Sequence, residues 1–317
     1  LAPWLQKLPG GLIHVNVVGC ALFAAISGSS AATVATVGKM SIPELRKRKY
    51  PEKILLGSLA GSGTLGLLIP PSIILIIYGV TVQESISKLF IAGIIPGIMI
   101  ALIFMGYVIV WSLLNKNKMP TNYENFSFLN KLSKSKQLIP VILLILGVIG
   151  SIYTGIATAT EAASLGVVGA LILSYFQKSL TLKTFKDSLL GATKTSCMIA
   201  FILAGATFLS LAMGFTGLPR NLALWIQNME LSPYVLIFVL MIFYIILGMF
   251  LDGISAVVLT MAIIEPMIRQ AGFDMIWFGI FLVIVVEMAQ ITPPVGFNLF
   301  VLQGICLLYT SDAADEA

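Results

Sequence analysis

Charged residues are scarce in this sequence. Only 10% of its 317 residues are Asp, Glu, Lys or Arg, whereas 58% are hydrophobic, and the mean hydropathy is +1.00. Soluble domains carry about 25% charged residues, so this composition excludes a water-soluble domain. Apolar runs of about 20 residues cross a bilayer. The apolar runs here are 89–114, 138–156, 161–176, 191–215, 233–251 and 276–305. We therefore predict an all-α polytopic membrane protein.

Histidine and cysteine are scarce as well. His14 is the single histidine, and Cys20, Cys197 and Cys306 are scattered through apolar segments. These residues form neither a metal-ligand cluster nor a disulfide framework. An enzyme needs a nucleophile with a base, or a metal cluster, and the sequence shows neither arrangement. The sequence therefore argues against an enzyme.

Basic residues are concentrated in three segments, 39–53, 116–136 and 178–194. Lys and Arg stay on the cytoplasmic side of membrane proteins, so we predict that these segments are cytoplasmic loops. The loops on the other side then hold only Lys88, Arg220 and Arg269 as basic residues. The net charge of +5 does not indicate nucleic-acid binding, because no basic stretch comes with aromatic residues for base stacking.

Two apolar segments do not fit the predicted topology as single transmembrane spans. Residues 12–38 are interrupted by small residues at 27–30 (SGSS), and residues 233–268 are interrupted at 252–255 (DGIS). If each segment crossed the membrane once, the three basic segments could not share one side. Two re-entrant hairpins satisfy the topology, the first opening to the cytoplasm and the second to the outside.

A proline pair follows each hairpin tip by about 40 residues: Pro70 and Pro71, then Pro293 and Pro294. Proline removes a backbone donor and breaks a helix. Such breaks persist at membrane depth only where they line a cavity or are buried in protein. By the predicted topology the two broken helices run in opposite directions. Matched broken helices in an inverted repeat indicate the midplane site of a secondary transporter.

Several motifs, in this order, resemble the large membrane subunit of TRAP (tripartite ATP-independent periplasmic) transporters, and the resemblance covers roughly residues 8–305. The motifs are 10–18 (GGLIHVNVV), 26–31 (ISGSSA), 68–72 (LIPPS), 78–79 (YG), 157–163 (ATATEAA), 248–253 (GMFLDG) and 291–298 (ITPPVGFN). The resemblance implies an elevator-type carrier with an ion-transporter-superfamily-like fold, in the bacterial inner membrane. It implies Na⁺ as the coupling ion, a small organic acid such as a C4-dicarboxylate as substrate, and no other cofactor. It also implies two partners, a periplasmic substrate-binding protein and a small four-helix membrane subunit.

We expect five parts in the chain. They are an N-terminal remnant (1–11), a first transport repeat (12–80), scaffold and connecting helices (81–232), a second transport repeat (233–305) and a tail (306–317). The repeats comprise the hairpins 12–38 and 233–268 and the broken helices 57–80 and 276–305. Because the chain starts at Leu1, we expect further spans of the parent protein before it. The acidic tail from Ser311 is expected to be disordered and is a candidate for non-native sequence.

The candidate Na⁺ ligands are hydroxyl and carbonyl groups at the predicted tips and breaks, since oxygen atoms can replace the water shell of a small hard cation. The first set is Ser27, Gly28 and Ser30 with Ser62, Gly63 and Thr64; the second is Asp252, Gly253 and Ser255 with Gln290 and Thr292. Asp252 and Glu287 are also functional candidates because they are ionisable residues in apolar surroundings. Each Ser or Thr has the alternative role of bonding to its own helix.

The substrate is expected between the two tips, near Ser29, Ser72 and Asn298. No arginine lies in the predicted midplane, so helix N-termini and hydroxyl groups would hold an anionic substrate. Three alternatives remain at this point. They are a stand-alone sodium-coupled dicarboxylate carrier of the divalent-anion type, a channel, and an interaction scaffold.

Overall fold

The structure, a computed structural model, describes residues 2–120, 136–217 and 232–315, together with Asn221 and Leu224. Across these residues the chain is helical and forms no strand. The α-helices are α1 (Ala2–Leu5), α2 (Ile13–Ser27), α3 (Ser30–Lys47), α4 (Glu52–Gly63), α5 (Leu65–Leu68), α6 (Ile73–Thr81), α7 (Ile86–Leu114), α8 (Ile139–Tyr153), α9 (Ala159–Phe176), α10 (Leu182–Thr216), α11 (Pro233–Gly248), α12 (Gly253–Gln270), α13 (Met275–Gln290) and α14 (Phe297–Asp315). Short 3-10 turns occupy Lys116–Lys118 and Lys136–Leu138.

Four helices in the described ranges, α7, α9, α10 and α12, are long and apolar enough to cross a membrane. Helices α4 to α6 form a fifth candidate span, bent by 40° at its break. Helices α2, α8, α11 and α13 are apolar but shorter. The predicted class, an all-α polytopic membrane protein, is confirmed.

Two of the predicted basic loops are largely helical, so that part of the prediction is wrong. Helix α3 continues past the apolar arm to Lys47, and α10 begins at Leu182. Hydropathy marks where apolar sequence ends, but a helix continues wherever its backbone bonds can form and its charged side chains can reach water. The extension of α3 shows this, because Arg48 Nε donates to the exposed Glu44 carboxylate at 2.6 Å. In the second basic segment, Lys131 and Lys134 lie outside the described residues, as does Arg220.

The tail is also more regular than predicted. The backbone of α14 stays helical through Asp315, so the expectation of disorder from Ser311 is wrong over these residues. Residues 306–315 (CLLYTSDAAD) contain no glycine or proline to end the helix. Glu316 and Ala317 lie outside the described residues.

Helices α2 and α3 pack side by side and are joined through two residues. Gly28 ends α2 in the left-handed conformation, with φ of 59°, and Ser29 Oγ caps α3 by accepting from the Ala32 amide at 3.4 Å. Helices α11 and α12 are joined similarly by a short turn that ends at Asp252, the N-cap of α12.

Both proline pairs lie between helices. Pro70 and Pro71 separate α5 from α6, and Pro293 and Pro294 separate α13 from α14. The Pro70–Pro71 and Pro293–Pro294 peptide bonds are both cis. In the first break Ser72 restarts the chain as a helix, because its hydroxyl caps α6 by accepting from the Leu75 amide at 3.3 Å.

The packing of the two halves is crossed. One apolar cluster joins α6 to α11, α12 and α13, and its largest side chains are Tyr78, Tyr244 and Phe278. A second cluster joins α2, α3 and α4 to α14, through Ile42, Leu59, Leu302 and Ile305 among others. The far part of each broken helix therefore packs on the hairpin of the other half.

We predict that Gly66→Ala destabilises the protein, because a Cβ at this position would lie 2.5 Å from the Ser29 carbonyl oxygen, which is backbone and cannot rotate away. Overpacking of this kind costs about 1–3 kcal/mol. The measurement is the thermal unfolding midpoint in detergent. Gly57→Ala in α4 is the matched control, since nothing lies within 4 Å of its added Cβ. Equal midpoints for the two variants would contradict the close contact between α5 and the first hairpin tip.

Candidate functional site

The tip of the first hairpin contacts the first proline break through main-chain atoms. The Ile73 amide donates to the Gly28 carbonyl oxygen at 3.3 Å. A Cβ at Gly28 would lie 2.8 Å from the Pro71 carbonyl oxygen, so only glycine fits both this contact and the left-handed backbone. The hairpin tip thus supplies a backbone partner that the interrupted helix lacks.

One side-chain hydrogen bond connects the two halves of the chain at their breaks. The buried Ser30 hydroxyl, at the start of α3, donates to Gln290 Oε1 at 2.9 Å. Gln290 is the last residue of α13, just before the second proline break. Its Nε2 lies 2.7 Å from the position that a Cβ would take on Gly253, at the second hairpin tip. The Gln290 amide therefore lies between the two tips.

Hydroxyl groups at the first tip bond to one another. Ser27 Oγ lies 2.8 Å from Thr33 Oγ1, and Thr33 Oγ1 also lies 2.8 Å from the Ser29 carbonyl oxygen, to which it donates. Ser62 and Thr64 donate to carbonyl groups of their own segment, Ser58 and Gly61, both at 2.6 Å. A hydroxyl group that donates a hydrogen bond in this way still has oxygen lone pairs with which to bind a cation.

The second predicted set of ligands is brought together only in part. Asp252 Oδ2 accepts from the amides of Ile254 and Ser255 at 3.1 and 3.2 Å, and the Ser255 hydroxyl donates to Oδ1 at 2.5 Å. This arrangement caps the N-terminus of α12. Thr292 Oγ1 donates to the Met288 carbonyl at 2.8 Å, on its own side of the break. Gly253 and Gln290 are the pair in direct contact.

Of the three predicted substrate residues, two bond locally. Ser29 and Ser72 both cap helices, and the Ser72 hydroxyl donates to the Leu67 carbonyl across the first break. Asn298 differs from them. It is fully buried, and neither its amide nitrogen nor its oxygen makes a hydrogen bond within the described part of the chain.

Glu287 shares this property with Asn298. It is 4% exposed, and neither carboxylate oxygen has a hydrogen-bond partner among the described residues. The two side chains lie on opposite sides of the second proline break, and Glu287 precedes Gln290 by three residues on the same face of α13. A buried polar group without a partner is costly. These two residues are therefore the polar groups at the break that a ligand would stabilise most.

Sequence reasoning did not identify Thr33, Asn16 and Ser58 as part of this region. Asn16 Nδ2 donates to Ser58 Oγ at 3.0 Å and to the Leu55 carbonyl at 3.2 Å, which ties α2 to α4. The sequence does contain features that could have identified two of them. Asn16 is a polar amide within an apolar run, and Ser58 precedes the predicted ligand Ser62 by one helical turn. Over the described ranges, no cluster of three or more His, Cys, Asp or Glu residues could hold a metal ion.

We predict an energetic coupling between Ser30 and Gln290. Ser30→Ala and Gln290→Leu should each lower the free energy of unfolding, and the double variant should lose less than the sum because one bond is shared. Double-mutant cycles inside membranes give about 0.6 kcal/mol for such bonds, with a maximum of about 1.7. The measurement is unfolding in detergent, with the exposed Ser164→Ala as the control. If the loss in the double variant equalled the sum of the two single losses of unfolding free energy, the contact between the halves would be contradicted.

Comparison with known proteins places these features in a family. Residues 5–316 match the family described as "Tripartite ATP-independent periplasmic transporter, DctM component". The chain is 35% identical over 297 residues to the C4-dicarboxylate TRAP transporter large permease protein DctM of Pseudomonas aeruginosa, covering 93% of this chain and 69% of that protein. It is 33% identical over 313 residues to the 2,3-diketo-L-gulonate TRAP transporter large permease protein YiaN of Escherichia coli, covering 96% and 71%.

A third relative is a longer protein. The isethionate TRAP transporter permease protein DctMQ of Oleidesulfovibrio alaskensis is 34% identical over 305 residues, which are 95% of this chain and 47% of that protein. The family match spans nearly the whole chain, including both hairpin tips and both proline breaks. This multi-pass membrane protein belongs to the DctM family, the large permease component of tripartite ATP-independent periplasmic transporters.

Proposed function

We propose that this chain is the permease of a sodium-coupled TRAP system that imports a small organic acid by an elevator mechanism. The observation that carries this proposal is the contact of Ser30 with Gln290, 260 positions apart, at the point where the two hairpin tips and the two breaks converge. A ligand bound there contacts both halves of the chain. Binding can therefore be coupled to movement of the two halves as one body.

The proposed first Na⁺ site is the region of Ser27, Gly28, Ser30, Ser62, Gly63 and Thr64. Its support is that the end of α4 packs against α3 directly after the hairpin tip, since a Cβ on Gly63 would overlap Val34. The hydroxyl and carbonyl oxygens in this region suit a hard cation. The proposed second site keeps Gly253 and Gln290 at its centre, with Asp252, Ser255 and Thr292 around it.

Glu287 extends the proposal, because it is a buried acidic group near these oxygens. Its carboxylate can balance the charge of Na⁺ bound near Gln290, which lies on the same helix face. Asn298, on the other side of the break, has a free amide donor and acceptor for the substrate. A carboxylate substrate would accept from its Nδ2, and the N-termini of α3, α6 and α12 add positive potential.

The substrate class follows from chemistry that the relatives share. Their names specify a C4-dicarboxylate, 2,3-diketo-L-gulonate and isethionate, which are all small organic anions. We propose the same class here, with a C4-dicarboxylate as the first compound to test. The proposed partners are a periplasmic substrate-binding protein and a small four-helix membrane subunit, in the bacterial inner membrane with the basic segments on the cytoplasmic side.

The test is uptake of radiolabelled organic acids by proteoliposomes. The full-length parent would be reconstituted with its small subunit under an inward Na⁺ gradient, with and without the binding protein. We expect accumulation that requires both Na⁺ and the binding protein. Accumulation without the binding protein would instead indicate a stand-alone carrier of the divalent-anion type. Uptake that never exceeds equilibrium would indicate a channel, and no uptake at all would indicate an interaction scaffold.

Glu287→Gln should preserve the fold but weaken Na⁺ coupling. The amide has the shape of the carboxyl group and cannot ionise at this buried position, so the unfolding midpoint should not fall. The Na⁺ concentration for half-maximal uptake should rise about tenfold, which corresponds to about 1.4 kcal/mol.

Asn298→Ala is the comparison variant. It should raise the substrate concentration for half-maximal uptake more than it raises the Na⁺ concentration for half-maximal uptake. An unchanged Na⁺ dependence in Glu287→Gln would remove Glu287 from the coupling proposal.

A further inference from the structure

An apolar groove runs between the first hairpin and α8, and none of the proposed substrate-binding residues lines it. Its volume is about 420 Å³, within the range of about 300–1,000 Å³ typical of small-molecule sites. One face of α2, including Val15, Gly19 and Phe23, lines it together with parts of α3 and α8. It is open at the side, since its lining residue Met40 is 65% exposed.

The groove is somewhat longer than one leaflet of a bilayer is thick. Its lining on α2 extends from Leu12 to Ile26, which at 1.5 Å per residue is about 20 Å. The hydrocarbon core of a bilayer is about 30 Å thick, so one leaflet contributes about 15 Å. An extended acyl chain therefore fits along the groove.

Polar and charged groups lie at only one end of the groove. Glu44 and Leu45, late in α3, line that end, and Arg48 donates to the Glu44 carboxylate at 2.6 Å. The exposed Lys136 precedes Leu138 by two residues. The opposite end, where Ile26 of α2 lines the groove, has no charged lining residue. The groove is thus amphipathic along its length, as a phospholipid is.

A buried hydroxyl faces the groove near its charged end. Ser41 lines the groove, and its Oγ has no hydrogen-bond partner among the residues that the structure describes. A hydroxyl in this position can donate to an ester or phosphate oxygen. This atom is a second, independent indication that a molecule with acceptor oxygens occupies the groove.

We propose that the groove binds one anionic phospholipid of the cytoplasmic leaflet. The acyl chain lies between α2 and α8, and the phosphate lies near Arg48 and Lys136. Basic clusters at the cytoplasmic surface attract anionic lipids, which fits the orientation proposed above. The lipid separates the first hairpin from α8, so it sets how closely these two elements approach. None of the residues proposed to bind Na⁺ or substrate lines this groove.

Quenching of a tryptophan in the groove tests the proposal. The full-length parent carrying Ile142→Trp would be reconstituted in phosphatidylcholine vesicles with 20% phosphatidylglycerol (about one lipid in five), with bromine on the acyl chains of one lipid or the other. Quenching per brominated chain should be at least twofold stronger for phosphatidylglycerol. Ile103→Trp on α7 is the control, since Ile103 is 58% exposed on an outer surface and should show no preference.

Arg48→Gln combined with Lys136→Gln should abolish the preference while the tryptophan remains in the groove. Ile145→Trp is a second reporter on α8 if Ile142→Trp does not fold, as judged by its unfolding midpoint. Equal quenching by the two lipids would overturn the proposal, because the groove would then hold any lipid. Absence of quenching by either lipid, with normal quenching of Ile103→Trp, would also overturn it and would show that protein covers the groove.

Discussion

The main-chain contact between Gly28 and Ile73 satisfies the constraint on which this structure depends. Both proline pairs interrupt apolar stretches of a membrane protein, and backbone groups freed by such breaks need bonding partners within the protein. At the first break the hairpin tip supplies the partner, because the Gly28 carbonyl accepts from the Ile73 amide. The close approach of Gly66 to Ser29 follows from the same docking, since only a residue without a side chain leaves room for the tip.

Crossed packing of the two halves makes this arrangement a single unit. Helix α6, beyond the first break, packs on the second hairpin and α13, while α14, beyond the second break, packs on the first hairpin. Ser30 and Gln290 join the halves between these two apolar clusters. Movement of one hairpin must therefore carry the broken helix of the other half with it, which is the mechanical requirement of the proposed elevator mechanism.

The polar groups at the centre divide into two kinds. The hydroxyls of Ser27, Ser62 and Thr64 bond within their own segments, and Asp252 caps α12, so these residues stabilise the tips and breaks as well as offering oxygen atoms. Glu287 and Asn298 have no such role in the described contacts. Proteins retain costly groups of this kind at membrane depth where they function, which is why both enter the proposed mechanism.

The sequence by itself determined the properties that depend on local composition. Hydropathy defined the membrane class, and the proline pairs and small residues marked where helices are interrupted, because these residues break a helix whatever surrounds them. It did not define where α3 and α10 end, since a helix can extend past its apolar part. Only the tertiary structure decided that Ser30 meets Gln290, that the halves pack crosswise, and that Asn298 and Glu287 are buried without partners. Contacts between residues that are far apart in the chain depend on how complete helices pack, and local sequence does not specify that packing.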